Sequence, residues 1–192
     1  HGLKKFHFNN SVQDETLACE YVASSVFADA GIPTPRATHA RVHLNGRDLG
    51  LYVVKEGWDL RFLKRHFTRS DGNLYDGGFC QDLEARLERD EGRGDDTKAD
   101  LRAIVAACRE PDAEKKYPRL AALVDIEKFL TLMALELMLC HWDGYTINRN
   151  NYRVYFNPAD GRVHILPHGL DQLFQDPNFG VLGFPGTLLS GA

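Results

Sequence analysis

Two stretches in which apolar and polar residues alternate, each bent back at a turn signal, constrain this chain more than any other feature. In the first, Ala40, Val42 and Leu44 alternate with Arg41 and His43 up to Asn45-Gly46, and strand formers resume from Leu49 to Val54. Asn-Gly tolerates the positive φ of a tight turn, so the segment reads as a β-hairpin. In the second, Tyr152 to Phe156 and Val163 to Leu166 flank Asn157-Pro158-Ala159-Asp160-Gly161. Between the two lies the strongest helical segment, Asp125 to Cys140, apolar on most sides, which predicts a central buried helix. Two hairpins and a buried helix in one chain predict an α+β domain.

The remaining elements are shorter. Lys5 to Phe8 reads as a strand, and Asp14 as the N-cap of a helix whose Leu17, Tyr21, Val22, Val26 and Phe27 share a face. Gly31 ends that helix, and Ile32-Pro33-Thr34-Pro35 keeps the backbone extended. A short amphipathic helix is expected over Leu60 to Phe67, and a brief apolar piece at Asn73-Leu74-Tyr75. From Asp82 to Lys116 charged residues crowd around Gly92 and Gly94, which reads as a solvated helix, a mobile break and a second helix from Asp96 to Cys108.

A length of 192 residues fits one domain with a sizeable core. The net charge of −4 supplies no basic field for releasing counterions from phosphates, so a general nucleic-acid binder is excluded. The longest apolar run, Phe129 to Cys140, contains Glu136 and is shorter than the ~20 residues a bilayer crossing needs, so no membrane span is expected. Cys19, Cys80, Cys108 and Cys140 form no C-x-x-C pair, which predicts buried, inert thiols, with a single disulfide as the alternative.

Chemistry is expected where polar residues sit at the mouths of apolar elements. Asp143, Asn148, Asn150 and Asn151 cluster between the long helix and the second hairpin, and Asp171 follows the hairpin's last strand. A hairpin returns the chain to the end it left, so Asp143, Asn148 and Asp171 become spatial neighbours. Two carboxylates and an amide oxygen are hard ligands, suited to Mg²⁺ or Mn²⁺ bound together with substrate phosphates. His141-Trp142-Asp143 with Asn148 reproduces the H-x-D-x-x-x-x-N spacing of a protein-kinase catalytic loop, with Asp171 in the place of the later metal-binding Asp. Taken alone, the spacing also fits a helix stop with local capping bonds.

Longer stretches carry a family resemblance. They are Leu3-Lys4-Lys5-Phe6 with Asn9-Asn10 and Asp14, Gly31-Ile32-Pro33-Thr34-Pro35-Arg36, and Asn45-Gly46 through Leu49-Gly50-Leu51-Tyr52 to Glu56. Phe62-Leu63 and Gly72-Asn73-Leu74-Tyr75, Trp142-Asp143-Gly144-Tyr145 with Asn148 and Asn150-Asn151-Tyr152, and Pro167-His168-Gly169-Leu170-Asp171-Gln172 with Phe174 complete the set. In this order they resemble the CotH kinase-like family, related in fold to atypical secreted kinases. The resemblance implies a protein-kinase-like domain over residues 3–175, partial at both ends, with 176–192 the tail of a continuing segment.

The resemblance further implies ATP and Mg²⁺ or Mn²⁺ as cofactors, a protein Ser or Thr hydroxyl as acceptor, Asp143 as catalytic residue, and Asp171 and Asn148 as metal ligands. His141 and Asn151 are further candidates. Lys5 or Lys4, with Glu20 as partner, is expected to bind phosphate, and Glu56 to close the strand lining the adenine or ribose site. A bacterial envelope, spore-surface or extracellular setting goes with the family. Many members carry Asp-Leu-Asp where this chain has Gly169-Leu170-Asp171. The alternatives are therefore a weak or inactive assembly module of the same fold, or a metal-dependent hydrolase built on His141, Asp143, His164, His168 and Asp171.

Overall fold

Near the start of the chain, three strands pair antiparallel in the order β1-β3-β2: β1 (Phe6–Asn9), β2 (Ala37–Leu44) and β3 (Arg47–Glu56). The computed structural model describes residues 4–93, 97–174 and 176. The hairpin expected at Asn45-Gly46 is present, and both turn residues take positive φ, 50° and 79°. Helix α1 (Cys19–Asp29) precedes β2 and ends where Gly31, at φ 71°, lets the Ile32 N–H donate back to the Phe27 carbonyl.

The buried face of α1 differs from the expected one. Glu20, Ala23, Ser24 and Phe27 are buried, whereas Tyr21 and Val22 are exposed. The N-cap is Ala18 rather than the expected Asp14, whose carboxylate nonetheless accepts from the Thr16 N–H and from the N–H of Cys19, the first residue of the helix. A residue at positive φ, Leu17, intervenes and rotates the helix from the predicted register.

A second antiparallel sheet, in the order β5-β4-β6-β7, is built from β4 (Leu74–Asp76), β5 (Glu88–Glu91), β6 (Tyr152–Asn157) and β7 (Arg162–Pro167). Its β6–β7 pair is the second expected hairpin. Before it comes α2 (Leu60–His66), capped by the Asp59 carboxylate on the Arg61 and Phe62 N–H groups. Helices α3 (Ala99–Cys108), α4 (Ala113–Leu123) and α5 (Ile126–Met138) follow β5 and pack with β6, β7 and α1 around Phe27, Ile104, Leu132 and Val154. Trp58, Phe62, Leu63, Leu74, Tyr155 and Leu166 form a smaller core under α2.

Three expectations need correction. The charged run after Asp82 is not a helix: Leu83 and Leu87 are buried, and Glu88–Glu91 pairs with β4 as a strand. The Arg153 guanidinium, almost fully buried, draws Asp90 and Asp76 to it, so part of the run serves an internal ion pair rather than solvent. Its expected break falls partly on residues outside the described ones. Helix α5 buries one face only, Phe129, Leu132 and Glu136, while Leu130 and Met138 are exposed. The four cysteines form no disulfide, but Cys80 is exposed and the other three are half-buried. Among the described residues no helix is long and apolar enough to cross a membrane. Of the tail expected over 176–192, only Asp176 is described.

Candidate functional site

The chain reverses sharply after α5. Cys140 takes φ 57°, the His141 N–H donates to the Glu136 carbonyl, and a single helical turn, α6 (Tyr145–Asn148), starts at Gly144. Asp143, buried at 8% exposure, sits in this reversal and collects three amides. Asn148 donates to Oδ1 at 2.7 Å, Asn151 to Oδ2 at 2.8 Å, and Asn150 to both oxygens at 3.1 and 3.0 Å. Each amide that gives its NH₂ to Asp143 turns its carbonyl oxygen away, so the Asn148 oxygen is directed off the carboxylate. Asn151 also donates to the Asp143 carbonyl, and its own carbonyl accepts the His168 N–H at 2.8 Å, which ties the loop to the segment after β7.

Asp171 arrives from that segment. Its Oδ2 accepts a 2.8 Å bond from the Asn9 side chain at the end of β1, so the first sheet reaches the carboxylate directly. The charges of Asp143 and Asp171 both act on the His141 ring, and Asp171 also acts on Glu20. Both carboxylates therefore lie within electrostatic reach of the His141 ring.

The lysine partner of Glu20 is Lys55. Its ammonium lies 3.1 Å from Glu20 Oε2, and both residues are buried. Strand alternation explains the pairing: along β3, Val53 and Lys55 share the face turned inward toward α1, and Glu20 occupies the buried stripe of α1 with Ala23 and Phe27. Lys5, the expected partner, donates to the Trp58 carbonyl instead, and its stem packs on Gly57. Burial pushes the Glu20 carboxyl up, against the opposing charge of Lys55 and with a further push from Asp171.

Glu56 is also placed differently from expectation. It alternates to the other face of β3, is buried at 3% exposure, and forms ion pairs with Arg36, at 3.4 Å, and with Arg65. Arg65 also donates to the Thr34 carbonyl, so Glu56 fastens α2 and the extended Pro33–Pro35 segment to the sheet. Its carboxylate is committed there rather than to a ligand on the Lys55 face.

The histidines of the hydrolase alternative are engaged as well. His141 Nε2 faces the His168 carbonyl at 3.3 Å, and burial pushes its pKa down to about 4, with the His168 carbonyl, Asp143 and Asp171 opposing. His168 Nδ1 accepts from the Trp58 indole at 3.1 Å, and His168 is held well below its usual pKa by burial and by Lys55 and Arg153. His164 lies against Asp125, Asp160 and Phe67. Among the described residues, no three or more His, Cys, Asp or Glu side chains gather as a metal cage.

A divalent ion shared with phosphates asks for less. Mg²⁺ is held by one or two carboxylates, with phosphate oxygens and water completing the shell. Asp171 and Asn148 carry oxygen donors of that kind: Asp171 Oδ2 is bonded by Asn9, and the Asn148 NH₂ is given to Asp143. The Lys55 ammonium pairs with Glu20, and the charges of Lys55, Asp143 and Asp171 all act on the His141 ring, which gathers one ammonium and three carboxylates in the same region.

One buried group went unread in the sequence. Glu136, fully buried, accepts from the Tyr145 and Thr146 N–H groups, and burial raises its carboxyl to about 7. A single carboxylate inside an otherwise apolar helical run was the available signal.

Comparison with known proteins bears on the family. The model of the CotH kinase protein family matches residues 1–184. The inner spore coat protein H of Bacillus subtilis (strain 168) is 24% identical over 185 residues, covering 88% of this chain and 50% of that protein. Invasin CotH2 of Rhizopus delemar is 23% identical over 195 residues, covering 92% of this chain and 32% of that protein. The chain thus spans half or less of the length of these relatives. A family model that takes in almost the whole chain leads to one conclusion: the chain belongs to the CotH kinase family, whose members have a kinase-like role.

Proposed function

We propose that this chain is the core of a protein-kinase-like phosphotransferase that moves the γ-phosphoryl of ATP to a Ser or Thr hydroxyl of a protein. The observation that supports it most is that a buried Lys55–Glu20 pair, Asp171 and Asp143 come from four separate parts of the chain to one region, where Asp171 acts on Glu20 and both aspartates act on His141. In phosphoryl transfer the protein mostly positions groups and neutralises charge, and a strand lysine paired with a helix glutamate is a recurring part of kinase sites.

In this reading Lys55 presents its ammonium to the phosphates, and Glu20 holds that ammonium in place. Asp171 and Asn148 would hold Mg²⁺ or Mn²⁺, which neutralises phosphate charge when bound. Asp143 orients the acceptor hydroxyl and takes its proton. The three amides keep its carboxylate in one rotamer, so the proton acceptor is aimed before substrate arrives. Lys5 and Glu56 have no part in it. The spore-coat and invasin names of the relatives support an extracellular or spore-surface setting for this chain too.

A specific observation favours the weak or inactive module as second reading. Gly169 lies at φ 58°, where a Cβ would come within 2.4 Å of the Asn151 side chain, so the carboxylate that many members carry at this position has no room here. Labelled ATP with Mn²⁺ and a Ser-rich acceptor separates the two. The parent chain transfers label, and Asp143→Asn, which keeps the size of the side chain but removes the base and turns an NH₂ toward part of the amide cluster, transfers at least 10²-fold less. Equal transfer by parent and variant contradicts the assignment of Asp143. No transfer by the parent favours the inactive module.

A further inference from the structure

Glu136 has a place in the site that no capping rule explains. A helix start is usually capped by its own first residue, through a Ser, Thr, Asp or Asn side chain. Helix α6 begins at Gly144, which has no side chain to give. None would fit: a Cβ on Gly144 would lie 2.7 Å from Glu136 Oε1 and 2.6 Å from the His141 ring. The cap comes instead from eight residues upstream, where Glu136 Oε1 accepts from Tyr145 N–H at 3.3 Å and Oε2 from Thr146 N–H at 2.8 Å. The backbone carbonyl of the same residue accepts the His141 N–H at 2.7 Å.

One residue therefore holds the reversal on both sides of Asp143. Among the described residues no ion pair reaches Glu136, and it is fully buried. A buried carboxylate with no cation is costly unless hydrogen bonds satisfy it. Its oxygens spend those bonds on the turn that ends in Asn148, the residue that grips Asp143 at 2.7 Å.

We propose that Glu136 is the positioning residue of this site: by clamping the first turn of α6 it fixes the Asn148 and Asp143 side chains relative to Asp171, and so governs turnover rather than nucleotide affinity. This rests on the phosphotransfer reading given above, and the two are separable by experiment.

Glu136→Gln keeps the shape but puts an NH₂ against one of the two N–H donors, and Glu136→Ala removes both acceptors. For each variant, kcat, the KM for ATP and amide hydrogen exchange by segment are measured beside the parent. Expected for Glu136→Ala is a loss in kcat of roughly 10²-fold, the scale of a small displacement of reacting groups, with KM for ATP changed less than about twofold. Glu136→Gln falls between parent and Ala. Exchange rises over residues 141–151 in both variants and stays at parent levels in β6 and β7.

Unchanged exchange over 141–151, or unchanged kcat, overturns the proposal. So does a rise in exchange throughout the fold with kcat and KM moving together, which would make Glu136 a general core group. If Glu136→Ala does not fold, Glu136→Gln decides by the same readouts. A parent without phosphotransfer overturns the phosphotransfer reading alone, and exchange over 141–151 then decides the clamp.

Discussion

The two hairpins of this molecule share a pattern of alternating residues and differ in what holds them. Five of the six β6 residues and five of the six β7 residues are buried, against α4, α5 and the partner strand β4, so this hairpin is part of the hydrophobic core. Between β2 and β3 only Val53, Lys55 and Glu56 are buried, and the two charged ones are fastened by ion pairs to α1 and α2. The second hairpin is thus a fixed floor that sets the positions of Asp143 and Asp171. The first is an arm held in register through charges, and one of those charges is the ammonium the site uses.

The widest separation of the two regions is expected from Lys55→Met. Breaking a buried pair by removing one partner leaves an uncompensated charge and costs about 3–5 kcal/mol. Adding Glu20→Leu should return most of it, since an apolar pair of similar volume is well tolerated there. Urea unfolding of the two variants checks both statements. Equal instability of single and double variants would mean that the arm is held by packing, like the floor.

Acid should act next, where the regions meet. His7 on β1, His168 after β7 and His141 beside Asp143 are all held below their usual pKa by burial, His141 down to about 4. A group whose folded pKa is depressed below 6.5 binds more protons when unfolded, so stability is full above pH 6.5 and falls as pH drops toward 4. Glu136, raised from 4.5 to about 7, has the opposite sign: its contribution is fully present below 4.5 and is lost as pH rises to 7. The histidines outnumber it. His141 alone should cost about 2 kcal/mol at pH 5, with His7 and His168 acting in the same direction and Glu136 partly offsetting them, and His141→Gln should flatten the dependence. Stability that does not fall between pH 6.5 and 5 would show that these rings are not held neutral.

The smallest effect is expected on the outer face of the arm. Phe8 is 51% exposed and meets only the edges of Phe6 and Tyr52. Phe8→Thr should change stability by less than about 0.5 kcal/mol, because exposed positions away from buried features tolerate change. A loss several times larger would mean that this face is covered in solution.

Much of the floor was legible in the sequence. Asn45-Gly46 and the Asn157–Gly161 turn marked both hairpins, and the clustering of Asp143, Asn148 and Asn151 before one of them placed the polar loop with Asp171. What escaped depends on tertiary pairing. Lys55 looked like one more strand-end lysine, since nothing local says that its face of β3 meets the one carboxylate on the buried stripe of α1. Lys5 was preferred because it stands on the strand that leads into that helix. The run after Asp82 read as a solvated helix because charge dominates its composition, whereas Leu83, Leu87 and the buried Arg153 turn it into a strand.

Thermal unfolding with Mn²⁺ and ATP, each alone and together, tests most directly whether the buried lysine and the two aspartates form a nucleotide–metal site. A ligand that binds only the folded chain raises Tm by mass action. The pair together should raise the Tm of the parent more than either component alone, and Asp171→Ala should abolish the difference. A parent whose Tm ignores the combination, or an Asp171→Ala variant that responds as the parent does, would contradict the placement of a phosphate-bound metal at this cluster.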